Sequence, residues 1–129
     1  MRRWNGWGDD GLDFPLEDHA REFLVGRIGE GTPPQDAELS AVLASVPASR
    51  LEGEAGLNTD PQIRLRHAHG ESFPDLLALR SGRCGPYPEA VAFPENHDEV
   101  VALVSKAKDK GWKLLPYGGG TSVVGHLTL

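Results

Sequence analysis

Glu89-Ala90-Val91-Ala92-Phe93-Pro94, then Asn96-His97-Asp98-Glu99-Val100-Val101, then Trp112-Lys113-Leu114-Leu115-Pro116-Tyr117-Gly118-Gly119-Gly120-Thr121-Ser122 is the stretch on which the fold of this 129-residue chain turns. Residues 90–93 form a continuous apolar run stopped by Pro94, which reads as a short buried strand of a parallel sheet. A helix is expected at once. Asn96 is a good N-cap, Glu99 stands three residues on to reach back to it, and Asp98 and Glu99 suit the positive end of the helix dipole. Val100, Leu103, Val104 and Ala107 give that helix one apolar face; Lys106, Lys108 and Lys110 load its far end, and Gly111 suits a left-handed cap. Residues 112–117 read as a second strand. The result is a β-α-β unit of about thirty residues, with parallel strands and a right-handed crossover.

The glycines that follow carry the chemistry. Gly118, Gly119 and Gly120 allow positive φ and let an anion approach backbone N–H groups without Cβ obstruction, while Thr121 and Ser122 add hydroxyl donors. The loop hangs from the carboxyl end of a strand, where ligands of parallel sheets bind. It is neither a Walker A motif, since no Gly-Lys-Ser/Thr follows, nor the dinucleotide fingerprint, since Val123 stands where a third glycine belongs. Three glycines and two hydroxyls can equally be only a sharp turn.

Upstream, the chain divides into two further stretches. Leu16, Ala20, Phe23, Leu24 and Ile28 recur at helical spacing until Gly29 and Gly31 stop the pattern. Thr32-Pro33-Pro34-Gln35 matches a capping box ahead of an apolar stripe of Leu39, Val42, Leu43 and Val46, closed by Pro47. Both are expected to be packing helices. From residue 51 to 88 the breakers Gly53, Gly56, Pro61, Gly70, Pro74, Gly82, Gly85, Pro86 and Pro88 imply irregular structure, with one short helix over 73–79.

Composition bounds the rest. The length indicates one domain. Gly 16 and Pro 10 make up about a fifth of the chain, against an average near an eighth, and hydrophobic content is 39%, so a modest core is expected. The net charge of −6 and scattered cations give no footprint for nucleic acid. No apolar run is long enough for a membrane span, and the start Met1-Arg2-Arg3-Trp4 lacks a secretory apolar stretch. Cys84 is the single cysteine, which fits a reducing compartment and a structural role. Arg64, Arg66 and Arg80, with His67 and His69, form a local cationic cluster. Its arginines suit salt bridges or a substrate phosphate. No third ligand at a recognisable spacing accompanies the His-x-His pair, so no metal site is assigned. Trp4 and Trp7 suit a hydrophobic clasp onto the body, and His97 the helix start.

The segments Glu89-Ala90-Val91-Ala92-Phe93-Pro94, His97-Asp98-Glu99-Val100-Val101 and Pro116-Tyr117-Gly118-Gly119-Gly120-Thr121-Ser122 resemble, in order and spacing, the first half of the FAD-binding domain of PCMH-type (vanillyl-alcohol-oxidase) flavoproteins. Within that superfamily, Arg3-Trp4-Asn5-Gly6-Trp7-Gly8, Arg66-His67-Ala68-His69-Gly70 and Leu76-Leu77-Ala78-Leu79-Arg80-Ser81-Gly82 are similar to the amino-terminal region of alkyldihydroxyacetonephosphate synthases and their bacterial relatives. The resemblance implies an α+β arrangement: a helical and irregular region over 1–87, then over 88–129 the β-α-β unit that begins an incomplete PCMH-type domain. It further implies that Pro116, Tyr117, Gly118, Gly119, Gly120, Thr121 and Ser122 wrap the FAD pyrophosphate. Thr121 occupies the place where some relatives carry a flavin-linked histidine, so noncovalent FAD is expected.

The catalytic tyrosine and histidines of such enzymes are expected beyond Leu129, which makes this chain read as an amino-terminal fragment, inactive alone and prone to self-association. The implied reaction of the whole enzyme is exchange of acyl for alkyl on dihydroxyacetone phosphate, in ether-lipid synthesis. A flavin-dependent oxidoreductase acting on a 2-hydroxyacid or alcohol shares the loop and stays open as an alternative, as does a cofactor-free interaction module. The substrate would be a lipid phosphate or a hydroxyacid, and the full-length enzyme could pair as a homodimer. A cytoplasmic location is implied, or a peroxisomal one for a eukaryotic ether-lipid enzyme.

Overall fold

A computed structural model describes residues 3–12, 14–32, 35–125 and 127. Five helices are drawn among them: α1 (Asp18–Ile28), α2 (Leu39–Ser45), α3 (Pro61–Arg66), α4 (Phe73–Arg80) and α5 (His97–Lys110). The core gathers Val42 of α2, Leu65 of α3, Leu79 of α4 and Cys84, with Trp4, Ala37, Leu39, Leu43 and Tyr87 packed around them. The stretch that its breakers mark as irregular thus supplies most of the interior.

The starts of α3, α4 and α5 have local reasons. Asn96 accepts from the Glu99 amide at 3.0 Å, and the Glu99 carboxylate returns to the Asn96 side chain and the Glu95 amide, both at 2.8 Å. Gly111 ends α5 at φ 69°, a left-handed cap. The expected helix therefore forms with its expected caps. Asn96→Ala should cost about 1 kcal/mol of stability, read as a lowered urea midpoint, because it orphans a first-turn N–H. Ser72 and Asp75 form a reciprocal capping box for α4. In α3, Asp60 accepts from Gln62 and Ile63 amides at 2.8 and 3.0 Å while Pro61 takes the first helical position.

Four expectations need correction. First, the helix α3 was not foreseen: Pro61 reads as a breaker, yet directly after Asp60 it starts a helix. Second, no ladder flanks α5 among the described residues. The run over 90–93 makes one antiparallel bridge, Asn58 to Val91, with bonds of 2.8 and 2.9 Å, and residues 112–117 form no strand. The expected β-α-β unit is therefore not borne out: its helix forms, but its two parallel strands do not, because a strand exists only through its neighbours. Third, α1 buries none of its residues: Phe23 is 60% and Ile28 80% exposed, so it does not pack as its spacing suggests. Fourth, α2 begins at Leu39 after Glu38, with no side-chain cap. The capping box at 32–35 includes Pro33 and Pro34, which lie outside the described residues.

The two regions are tied together by polar contacts. Arg50 donates its amide and its guanidinium to the Glu89 carboxylate at 2.9 and 2.8 Å, and these bonds hold the Glu89 carboxyl below its ordinary range. On α5, Lys106 and Lys110 lie 3.0 and 3.4 Å from Glu54, whose carboxyl is lowered by the same lysines. No helix among the described residues is long and apolar enough to cross a membrane.

Candidate functional site

The glycine loop is shaped by what it rests on. Tyr117, partly buried, donates its hydroxyl to the carbonyl of Arg66 at 3.1 Å and lies 3.4 Å from the carbonyl of His69. Its ring meets the His67 ring at a centroid distance of 4.7 Å, and His67 meets Phe93 edge-on at 5.5 Å. Gly120, buried at φ 70°, lies against that tyrosine: an added Cβ would come within 2.5 Å of Tyr117 Cζ. Gly70 lies as close to the next turn, where an added Cβ would stand 2.5 Å from Ser122 Cβ and 3.0 Å from its carbonyl oxygen. The Gly125 amide closes that turn onto the Ser122 carbonyl at 2.9 Å.

The outer side of the loop is open. Pro116, Gly118, Gly119 and Thr121 are exposed and Ser122 is partly so. No atom lies within 4 Å of a Cβ built at Gly118, and at Gly119 the nearest is Thr121 Cγ2 at 4.0 Å. Residues 116–125 carry no charged side chain of either sign. Uncrowded backbone with two hydroxyls beside it suits a diphosphate bound by dipoles, so the residues present fit the expected group. Of the seven residues of the expected loop, Tyr117 and Gly120 lie inward, Ser122 opens the next turn, and Pro116, Gly118, Gly119 and Thr121 are exposed.

The cationic cluster does not act as one group. Arg64 is 2% exposed, its Nε donating to the Pro88 carbonyl and its Nη1 to the Pro47 carbonyl, both at 2.7 Å. It is an internal clamp, which corrects its reading as a surface or phosphate-facing cation. Arg80 makes a two-point ion pair with Asp36 at 2.6 and 3.0 Å. Arg66 lines a cavity of about 400 Å³ under the amino-terminal segment, with Arg3, Trp4, Ile63, His69 and Tyr117 also in its wall.

Both histidines bond to backbone. His67 Nδ1 lies 2.7 Å from the Ile63 carbonyl and His69 Nε2 lies 2.6 Å from the Cys84 carbonyl; a carbonyl only accepts, so each of these nitrogens carries the hydrogen. Among the described residues His69 Nδ1 has no hydrogen-bond partner, with Asp75 Oδ1 at 3.8 Å. Cys84 is 1% exposed, and burial pushes its thiol up. Trp4 packs on the core as a clasp, whereas Trp7 is 60% exposed and does not. The part of the site that sequence reasoning missed is Gly70. Its only signal is a glycine placed just after the Arg66-His67-Ala68-His69 run.

Comparisons with known proteins bear on the segment that carries this loop. Residues 88–128 match the family described as FAD binding domain. The chain is similar to an alkyldihydroxyacetonephosphate synthase of Caenorhabditis elegans, 24% identical over 97% of this chain and 26% of that protein. A synthase of the same name from Trypanosoma brucei brucei is 36% identical over 54% of this chain and 11% of its own length. A Mycobacterium tuberculosis protein is 29% identical over 71% of this chain and 68% of that protein. A solved structure of alkyldihydroxyacetonephosphate synthase superposes with a TM-score of 0.66 at 23% identity, covering 99% of this chain and 31% of that one. The chain thus spans less than a third of the synthases it matches. Residues 88–128 thus match an FAD binding domain, in a chain that is similar over nearly its whole length to alkyldihydroxyacetonephosphate synthases.

Proposed function

We propose that this chain is the FAD-binding segment of an alkyldihydroxyacetonephosphate-synthase-like flavoenzyme, with the turn at 116–122 as the cradle of the cofactor's pyrophosphate. The observation that carries this is the loop itself: a glycine turn pinned from inside by Tyr117 and open outside at Gly118 and Gly119, within a segment that matches an FAD-binding domain. Amides of the three glycines, with the hydroxyls of Thr121 and Ser122, supply the donors. FAD is held without a covalent link from Thr121, whose hydroxyl cannot replace a histidine in flavin attachment. Residues 1–87 form the supporting region and 88–129 the first part of the FAD domain.

In the whole enzyme, the bound flavin serves the exchange of the acyl chain of acyl-dihydroxyacetone phosphate for a fatty alcohol, with no net redox change. The synthases among the relatives favour this chemistry over oxidation of a hydroxyacid. Catalytic groups then come from outside the present residues, and the location is cytoplasmic, or peroxisomal in a eukaryotic source.

The test is native mass spectrometry of the protein from its source, joined to titration with FAD. Binding of one FAD, weakened at least 30-fold by Gly119→Trp with the unfolding midpoint kept, is the expected result. A flavin-free protein that also takes up none on titration would refute the reading.

A further inference from the structure

The cavity beside Arg66 has mixed walls and nothing that identifies a ligand, and the exposed face of α1 has nothing to say what covers it. The segment 66–70 is different, because three independent contacts join it to the glycine loop. The Tyr117 hydroxyl lies within hydrogen-bond distance of the Arg66 and His69 carbonyls, the His67 ring meets the Tyr117 ring at a 55° tilt, and Gly70 takes Ser122 in the space of its missing side chain.

We infer that Gly70 and Tyr117 are positioning residues for the cofactor loop: the segment 66–70 of the amino-terminal region is a rest that sets the direction of the donors at 118–122. This rests on the FAD reading and assigns two residues a role within it. Tyr117 acts here by its inward hydroxyl and not as a ligand. Gly70 is held at glycine by distance alone, since its φ is not in the left-handed region while its absent Cβ would overlap Ser122 at 2.5 Å to Cβ and 2.9 Å to Oγ. Gly70→Ala therefore has to push Ser122 outward, and with it the hydroxyl and the turn closed by Gly125.

The experiment is a double-mutant cycle on the full-length protein, with dissociation constants for FAD, ADP and riboflavin and a urea melt for every variant. Gly70→Ala is expected to weaken FAD and ADP alike by at least tenfold and to leave riboflavin, which has no pyrophosphate, within twofold. In a Ser122→Gly background, which removes the two side-chain overlaps, the same Gly70→Ala change should cost less than threefold. Tyr117→Phe, which keeps the ring on His67, should weaken ADP about fivefold with an unchanged melt. An equal loss from Gly70→Ala in both backgrounds overturns the inference, as does wild-type ADP affinity in both Gly70→Ala and Tyr117→Phe. If Gly70→Ala does not fold, the Tyr117→Phe measurement alone decides, and unchanged ADP binding there overturns it. Absence of FAD and ADP binding in the wild type would instead refute the functional reading, and this inference with it.

Discussion

Gly120→Ala should reduce FAD affinity at least 100-fold, the largest binding effect expected of any single methyl in this chain. Two costs fall on one atom. At φ 70° the residue sits in the left-handed region, where an L side chain costs about 1–2 kcal/mol. The new Cβ would also stand against the Tyr117 hydroxyl, 2.5 Å from Cζ and 2.8 Å from Cε1, with the ring held by His67 and two carbonyls. The turn must open or the tyrosine must leave. Either movement redirects the donors on the outer side, so the loss appears in binding as well as in stability, the latter by about 2 kcal/mol. Gly118→Ala is the control, because nothing lies within 4 Å of its added Cβ and its φ is not left-handed. Fluorescence titration and urea unfolding of both variants check this. Equal FAD affinity for Gly120→Ala and Gly118→Ala would show that the inward contact does not shape the site.

Arg64→Leu should destabilise the chain by roughly 3–5 kcal/mol, the largest stability effect expected. Each bond from a charged group to a carbonyl contributes about 1.5–3 kcal/mol, and its removal leaves the Pro47 and Pro88 carbonyls without this donor. Because a domain's total stability is about 5–15 kcal/mol, such a loss brings folding near its limit. The arginine is needed for its fork. Nε and Nη1 point to carbonyls 41 positions apart in sequence, which closes α3 against the end of α2 and the start of the FAD-binding segment. Arg64→Lys keeps the charge on a single ammonium and should recover less than half of the loss. Denaturant midpoints measure both, and an unchanged midpoint for Arg64→Leu would rule out the clamp.

Helix α5 and the glycine turn were legible because their causes are local. Asn96, Glu99 and Gly111 act within a turn of the helix they bound, and three adjacent glycines announce a tight turn wherever the chain goes. The same reasoning fails for 90–93 and 112–117. Their apolar pattern is that of strands, but pairing needs a second segment in register, and among the described residues Val91 finds Asn58 and no further ladder. The spacing of α1 likewise gives a helix but not a partner for its Phe23 and Ile28 face.

What the sequence by itself determined is thus helix α5 with its two caps, the place of the glycine loop, and the resemblance that points to FAD. Tertiary structure alone decided which side of the loop faces out, that Arg64 lies inside, that Cys84 and His69 are buried neighbours, and that Gly70 supports a turn fifty residues away. The physical reason is range. Caps and turns are paid for by groups a few residues apart, whereas burial, close approach and a two-carbonyl clamp depend on which distant segments meet, and no local pattern encodes that meeting.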